Sequence, residues 1–313
     1  MRALLEESFR AAVAAADPLQ IVAAHLPPRP KGRIFVAGAG KAAAAMAVAV
    51  EKALGPVEGI AITRYGHGLP TRQIRVVEAG HPVPDEAGQG AAREILERTR
   101  ELGKDDLLLA LLSGGGSSLL ALPAPGVSMA ALKSLTGELL KSGATIQEMN
   151  TVRKHLSAIA GGRLAAASRA PVLALIISDV TGDDPTHIAS GPCAPDPTTV
   201  QDAQAVLERY GVDIEGSFSE SPKPGDPAFA RVENRVIATA HRSLEAAAAL
   251  FQREGIAPVI LGDTVTGEAS EAAKVMAALV REIQRHGKPW PRPVALISGG
   301  ETTVTLRSES GRG

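Results

Sequence analysis

Short, continuous apolar runs alternate along the chain with longer segments in which apolar residues recur at helical spacing. Runs such as LLLALLS are typical of strands buried on both faces of a parallel sheet. This alternation predicts an α/β fold of mainly parallel sheets covered by helices, Rossmann-like in its N-terminal part. The predicted strands are 32–40, 59–63, 74–80, 106–113, 172–180, 234–240, 257–263 and 293–300. The predicted helices are 2–16, 41–54, 86–101, 128–141, 145–168, 198–210, 241–254 and 267–287, with Asp85 as the N-cap of the third.

A segment rich in Gly, Ser and Pro, residues 211–227, interrupts the alternation and is the best linker candidate. We therefore expect two α/β domains, residues 1–215 and residues 230–313, with a linker at about 216–229. The chain ends in TTVTLRSESGRG, which predicts a strand and a turn with no later strand to pair with them. The second domain is therefore expected to be incomplete.

The composition argues against several classes of protein. Of the 313 residues, 45% are hydrophobic, which is too many for a disordered chain. The formal net charge of −1 does not favour a nucleic-acid partner. The charged N-terminus is unlike a signal peptide, and no apolar run approaches the roughly 20 residues of a membrane span. The single cysteine, Cys193, excludes an internal disulfide and is typical of a reducing compartment, so we expect a cytoplasmic protein.

Candidate anion-binding residues follow the first predicted strand, in the stretch VAGAGKA. Gly38 and Gly40 allow an unusual turn, and the next helix begins near Lys41, where backbone N–H groups favour an anion. Because position 43 is Ala, the stretch is neither a Walker A motif nor a dinucleotide fingerprint. A plain strand-to-helix turn is an equally weighted alternative.

A second glycine loop, LLSGGGSSLL, lies between apolar runs and therefore belongs at the end of a strand. Its successive N–H groups and hydroxyls can bind a phosphate, although close packing of strand on helix is the alternative. The loop LISGGETTV repeats the pattern in the second predicted domain. The candidate phosphate- and nucleotide-binding residues in the two loops are Ser113, Gly114, Gly115, Gly116, Ser117, Ser118, Ser298, Gly299, Gly300, Glu301 and Thr302.

Two further segments supply charges. NTVRKHLS contains the adjacent cations Arg153 and Lys154, which suit a substrate carboxylate or phosphate but are also typical of a solvated helix face. Asp179 ends a predicted buried strand, and Asp183 and Asp184 follow in a Gly/Pro loop. Mg²⁺ typically uses one or two carboxylates together with substrate phosphates. The alternative for Asp183 and Asp184 is simple turn formation.

Glycine loops, cations and carboxylates together favour phosphoryl transfer, in which a protein mainly positions groups and neutralises charge. Two other classes stay open. A sugar-phosphate isomerase or binding module would also use Ser/Gly phosphate loops but would not need the aspartates. A reductase would be expected to show a dinucleotide fingerprint, which this sequence lacks.

Six stretches, in order, resemble the glycerate 2-kinase family: AGAGKA, GHPVPDEAG, SGGGSSLL, NTVRKHLSAIAGGRLA, SDVTGDDPTHIASGP and SGGETTVT. The resemblance implies a large N-terminal domain, a C-terminal domain of the type called MOFRL, and phosphorylation of D-glycerate by ATP at the 2-hydroxyl. Some members carry the name hydroxypyruvate reductase. The resemblance also implies residues beyond Gly313, and it places Arg312 at an arginine-containing turn as a substrate-binding candidate.

This resemblance gives the candidate residues their expected roles. Glycerate is expected in a cleft between the two domains, with its carboxylate on Arg153 or Lys154 and with Asn150 nearby. Lys41 and the glycine loops are expected to hold phosphates, and Mg²⁺ is expected on Asp179 with Asp183 or Asp184. The expected catalytic residues are Lys41, Asp179, Lys154 and Asp184, with Asp179 or Asp184 orienting the hydroxyl. Which loop takes ATP stays open, as does a homodimer.

Overall fold

The computed structural model describes residues 1–214 and 216–305. Its strands are β1 (Ile34–Ala39), β2 (Glu58–Arg64), β3 (Ile74–Ala79), β4 (Leu107–Ser113), β5 (Val172–Ile177), β6 (Val232–Ala238), β7 (Ala257–Val265) and β8 (Val294–Gly300). Its α-helices are α1 (Arg2–Ala14), α2 (Pro18–Ile21), α3 (Ala43–Leu54), α4 (Glu86–Arg100), α5 (Gly116–Leu119), α6 (Met129–Ser142), α7 (Ile146–His155), α8 (Arg163–Ala166), α9 (Val200–Tyr210), α10 (Ala240–Arg253) and α11 (Ala269–His286). Each of the eight predicted strands is confirmed. Within residues 1–214 and 216–305, no helix is both long enough and apolar enough to cross a membrane.

The larger sheet has the strand order β3-β2-β1-β4-β5-β6. The pairs β1–β2, β2–β3, β1–β4 and β4–β5 are all parallel. Every residue of β4 is buried, which explains its unbroken apolar run. The chain runs outward from β1 to β3 and then returns to β4, so the order reverses between β1 and β4. In open parallel sheets, ligands bind at such a reversal, at the carboxyl ends of the strands.

The described residues form two compact units. One consists of residues 1–17 and the chain from residue 238 onward, and the other consists of residues 18–237. In the first, α1 packs on α10, and β7 pairs with β8 in a parallel two-stranded sheet. The second unit holds β1 to β5 and nearly all of β6. These limits differ from the domain limits at 215 and 230 that we drew from the sequence.

The segment expected to be a linker packs on the larger unit. The backbone N–H of Ser219 donates to the carbonyl of His155 over 3.0 Å, and the N–H of Asp196 donates to the carbonyl of Pro222 over 2.9 Å. Arg163 Nη2 donates to the carbonyl of Ser219 over 2.8 Å, and Ser221 is buried. Its Gly, Ser and Pro content therefore reflects tight turns rather than a free tether.

The single helix predicted over 145–168 is wrong. The helix α7 ends at His155, and α8 begins only at Arg163. The Ser157 hydroxyl accepts the N–H groups of residues 159 and 160, at 3.2 and 3.0 Å, and so turns the chain away from the helical path. Gly161 and Gly162 then take positive φ values of 59° and 81°, which place the chain for the next helix.

The predicted N-cap of α4 is confirmed. Asp85 Oδ1 accepts the N–H of Gly88 over 3.0 Å, and Asp85 Oδ2 accepts the Tyr65 hydroxyl over 2.8 Å. Burial would raise the pKa of Asp85, but these two hydrogen bonds, a third from the backbone of Gly80 and the charge of Lys133 together hold the pKa below its ordinary value.

Asp85→Ala should therefore lower the free energy of unfolding by about 0.5–2 kcal/mol, because the first turn of α4 loses its acceptor. The matched control is Glu97→Ala, at an exposed position later in the same helix. The measurement is the urea midpoint of each variant. Equal midpoints for the two variants would contradict the capping role.

Candidate functional site

Polar groups collect at the carboxyl edge of the larger sheet. Lys41 follows β1, Arg64 ends β2, His81 follows β3, the loop 113–116 ends β4, and Asp179 follows β5. Because the strands are parallel, all five segments emerge at the same edge. The sequence predicted this placement for Lys41, the glycine loop and Asp179.

The turn after β1 is locked to the end of β4. The N–H of Lys41 donates to the carbonyl of Gly114 over 2.8 Å, and the N–H of Ala42 donates to Ser113 Oγ over 3.0 Å. Gly40 has a φ of +133°, and a Cβ there would lie 2.2 Å from Ser113 Oγ. Gly40 and the Ser113 hydroxyl therefore help to join the ends of β1 and β4. Gly38 also packs closely, with a Cβ position 3.0 Å from Ala61 Cβ.

Gly114 and Gly115 allow three polar side chains to lie close to the backbone. A Cβ on Gly114 would lie 2.0 Å from Asp179 Oδ2, so this carboxylate rests on that residue. A Cβ on Gly115 would lie 2.8 Å from His81 Nε2 and 3.4 Å from Lys41 Cε. Gly115 has a φ of +81°, a left-handed conformation in which successive N–H groups can converge on an anion. A cation, an imidazole and a carboxylate therefore lie against the glycine turn, which is the candidate anion-binding site.

Gly116 has a different neighbour, because a Cβ there would lie 2.5 Å from Ala189 Cβ. Ala189 and Ser190 have φ values of +52° and +60°, which are strained for residues that carry a side chain. Such strain is often found at functional sites, where the surrounding structure maintains it. It places Ser190 Oγ 2.8 Å from Ser117 Oγ, beside the glycine loop.

Arg153, on helix α7, contacts the pair formed by Ser117 and Ser190. Its Nη2 donates to the carbonyl of Ser117 over 2.8 Å, and Ser190 Oγ also lies 3.4 Å from Asn150 Oδ1. Burial lowers the pKa of Arg153, and among the described residues no carboxylate pairs with it. A small cavity of about 20 Å³, large enough for a water molecule, lies beside Arg153 and Ser190.

Lys154, the neighbour of Arg153, lies in the protein interior. It is 1% exposed, and its Nζ lies 3.3 Å from Oδ1 of Asp196, which is 0% exposed. Asp196 also accepts Ser221 Oγ over 2.9 Å and the N–H of Thr198 over 3.1 Å. Burial would raise the pKa of Asp196, but Lys154 and these donors outweigh burial and lower it. Because the buried Asp196 carboxylate already pairs with its charge, Lys154 is better explained as a structural residue than as a catalytic or substrate-binding one.

Two other candidates have local roles. Ser118 is buried, and its hydroxyl donates to the carbonyl of Gly115 over 3.1 Å, so it closes its own turn. Asp184 Oδ1 accepts the N–H of Thr186 over 2.8 Å. Burial would raise the pKa of Asp184, but that hydrogen bond and the charges of His187 and Lys154 keep the pKa low.

The acidic loop places its carboxylates differently. Asp179 is exposed and touches the glycine loop, whereas Asp183 has a φ of +54° and donates its N–H to the carbonyl of Val180 over 3.1 Å. Asp183 therefore forms a turn, as its alternative interpretation predicted. Within residues 1–214 and 216–305, no three His, Cys, Asp or Glu side chains are grouped to hold a metal ion. Asp179 is the carboxylate best placed for Mg²⁺, because such a site needs only one or two carboxylates when phosphates complete it.

The second SGG loop belongs to the smaller unit. Ser298, Gly299 and Gly300 are the last residues of β8, and Glu301 and Thr302 follow as exposed residues. A Cβ on Gly300 would lie 2.2 Å from the Val265 carbonyl oxygen, so this glycine serves packing. The phosphate-binding role of the loop stays a prediction. Arg312 lies outside the residues that the structure describes.

His81 is the functional candidate that the sequence analysis missed. It lies in GHPVPDEAG, which we interpreted only as a loop and a helix cap. Burial lowers the pKa of His81, as do Lys41 and Arg64, while Asp179 raises it. The net lowering of its pKa favours the neutral form of the ring. Its position directly after a predicted parallel strand was the signal that could have identified it.

The fold is α/β, and its candidate anion-binding residues lie at the point where the strand order reverses. Comparison with known proteins narrows the class. A family model described as "Domain of unknown function (DUF4147)" matches residues 4–220. A glycerate 2-kinase from Pyrococcus horikoshii is 42% identical over 297 residues, which cover 90% of this chain and 67% of that protein. The chain belongs to the glycerate 2-kinase family.

Two further comparisons agree on the fold and differ in name. The crystal structure of a glycerate kinase from Thermotoga maritima has a TM-score of 0.88 and 38% identity, and the match covers 99% of this chain and 76% of that chain. A protein from Agrobacterium vitis with the provisional name hydroxypyruvate reductase is 50% identical over 323 residues, which cover 100% of this chain and 73% of that protein. The names of the relatives therefore leave two activities to compare with the site.

Proposed function

We propose that the protein transfers the terminal phosphoryl group of ATP to the 2-hydroxyl of D-glycerate, giving 2-phosphoglycerate. The observation that carries the proposal is the convergence of Lys41 and Asp179 on the adjacent residues Gly115 and Gly114. A phosphoryl group in transfer spreads negative charge over its oxygens, and fixed donors and cations stabilise that charge. The similarity to named glycerate kinases supplies the substrate.

Lys41 and the N–H groups of the Gly115 turn are the groups that would contact phosphate oxygens. Lys41 is exposed at the edge, and its Cε lies against Gly115, so its ammonium group can reach an anion held by that turn. Asp179 would hold Mg²⁺, which when bound neutralises charge on the phosphates. Asp184 is less well suited, because its Oδ1 already accepts the N–H of Thr186.

Arg153 is the group that would bind the glycerate carboxylate. Its guanidinium is partly buried and has no anionic partner among the residues that the structure describes, so an anionic ligand would stabilise it. Its hydrogen bond to Ser117 places it directly after the glycine loop. Ser190 and Asn150 offer further polar groups beside it. The carboxylate and the reacting hydroxyl of one small molecule would thus be held close together.

Arg153→Lys should raise the KM for D-glycerate by about 10- to 100-fold and leave the KM for ATP unchanged, since lysine keeps the charge but loses the bidentate fork. Steady-state kinetics with each substrate varied in turn measures this. Arg209→Lys, at an exposed arginine paired with Glu148, is the matched control. An equal rise in both KM values would contradict the assignment.

The activity is tested by following ADP release from Mg-ATP with and without D-glycerate. The same preparation is assayed for NADH and NADPH oxidation with hydroxypyruvate. We expect ADP release that depends on D-glycerate and no oxidation of either nucleotide. Oxidation without ADP release would support the reductase name. If the protein showed neither activity, a sugar-phosphate isomerase or binding module would be the better interpretation.

A further inference from the structure

The imidazole Nε2 of His81 and the side chain of Lys41 both lie close to Gly115. A Cβ on Gly115 would lie 2.8 Å from His81 Nε2 and 2.8 Å from Cδ2, and 3.4 Å from Lys41 Cε. An imidazole nitrogen therefore stands beside the turn on which the transferring phosphate is proposed to rest. We propose that His81 is the general base that accepts the proton of the glycerate 2-hydroxyl as that oxygen attacks the phosphorus, an inference that rests on the proposed function.

His81 has a fixed position at the edge of the sheet. It follows β3 by one glycine and precedes the cap of α4 by four residues. That cap, Asp85, is itself held by Tyr65 from the segment after β2. Both ends of the short segment 80–85 are therefore tied to regular elements, so the ring can be held in a productive orientation.

The charged groups around His81 favour its basic form. Lys41 and Arg64 are the cations near the ring, and Asp179 is the nearby anion. Burial is the largest of these effects and disfavours the imidazolium, and the two cations disfavour it further. The net effect is a pKa below the ordinary value of histidine, so the nitrogen is free to accept a proton at neutral pH.

The two carboxylates that we first expected to act on the hydroxyl are less suitable bases. Asp184 is engaged with the N–H of Thr186, and its lowered pKa makes it a weak proton acceptor. Asp179 rests on Gly114 and is the carboxylate best placed to neutralise phosphate charge through Mg²⁺. The neutral imidazole is the remaining acceptor at this turn.

The step balances with ATP as the only co-reactant. The proton of the 2-hydroxyl moves to His81 Nε2, and the oxygen forms its bond with the γ-phosphorus. The bond between that phosphorus and the oxygen bridging the β- and γ-phosphates breaks, and its electron pair leaves with ADP. The imidazolium then releases its proton to solvent, which restores the base.

The test compares His81→Gln with His67→Gln, an exposed histidine in the preceding connection between β2 and β3. For His81→Gln we expect kcat to fall by about 10²- to 10⁴-fold, with both KM values nearly unchanged. The acid limb of the wild-type kcat/KM profile should lie below the ordinary pKa of histidine and should vanish in this variant. Added imidazole should restore part of the activity of His81→Ala. His67→Gln should match the wild type.

Retention of kcat in His81→Gln, or an unchanged acid limb in that variant, would overturn the assignment. If the variant does not fold, the wild-type profile alone decides, because an acid limb at or above the ordinary histidine value contradicts the lowered pKa of this base. The proposed function fails separately, namely when the wild-type protein releases no ADP in the presence of D-glycerate. The two failures are therefore distinguishable in one set of assays.

Discussion

Lys41→Ala should lower kcat by about 10²- to 10³-fold, the cost of removing one preorganised donor from a developing anion. Lys41 follows β1, its backbone is fixed by the hydrogen bond to Gly114, and its side chain lies against Gly115. Because the ammonium group sits beside the proposed phosphate turn, its loss should affect the transition state more than ground-state binding of glycerate. Initial rates with both substrates saturating measure the change.

Lys52→Ala is the matched control for this variant. Lys52 lies on α3, the helix that follows Lys41, and is exposed near the C-terminus of that helix, far from the strand edge. We expect it to have wild-type kcat. Equal rates for Lys41→Ala and Lys52→Ala would show that no transferring phosphate depends on Lys41, and the proposed site would then be incorrect.

Lys154→Met should lower the free energy of unfolding by about 3–5 kcal/mol, because it leaves a buried carboxylate without its cation. Asp196 is 0% exposed, and its ion pair with Lys154 spans 3.3 Å. The donors from Thr198 and Ser221 remain but carry no full charge. The shift of the urea midpoint measures the loss.

A double variant separates the ion pair from simple packing. Lys154→Met combined with Asp196→Leu removes both charges, so we expect it to recover much of the lost stability. The folded fraction of Lys154→Met should keep the wild-type KM for D-glycerate. A raised KM with unchanged stability would return Lys154 to the substrate site.

The strand pattern predicted the sheet well, together with the edge at which the candidate residues lie. Continuous apolar runs such as β4 are decisive because both faces of a parallel sheet are covered. Glycines and charges that directly follow such runs must then lie at one edge, which is how Lys41, Gly115 and Asp179 were found. Asp85 could be predicted because an N-cap is local chemistry.

The sequence-based predictions failed where a residue's role depends on a partner far away in the sequence. Adjacent helical residues point in different directions, but the sequence does not say that Lys154 meets Asp196, 42 positions away. The end of α7 depends on how the Ser157 hydroxyl turns the chain, and the helical pattern of the following residues conceals it. His81 was overlooked because its stretch was interpreted only as a loop and a helix cap, although its position directly after β3 places it at the same edge as Lys41 and Asp179.

Identification of the product tests the central claim most directly. The protein is mixed with D-glycerate, ATP and Mg²⁺, and the phosphate esters are followed by ³¹P NMR. The account predicts loss of the γ-phosphate signal and growth of a single new ester, 2-phosphoglycerate. Formation of 3-phosphoglycerate, or no new ester while NADH is consumed with hydroxypyruvate, would contradict it.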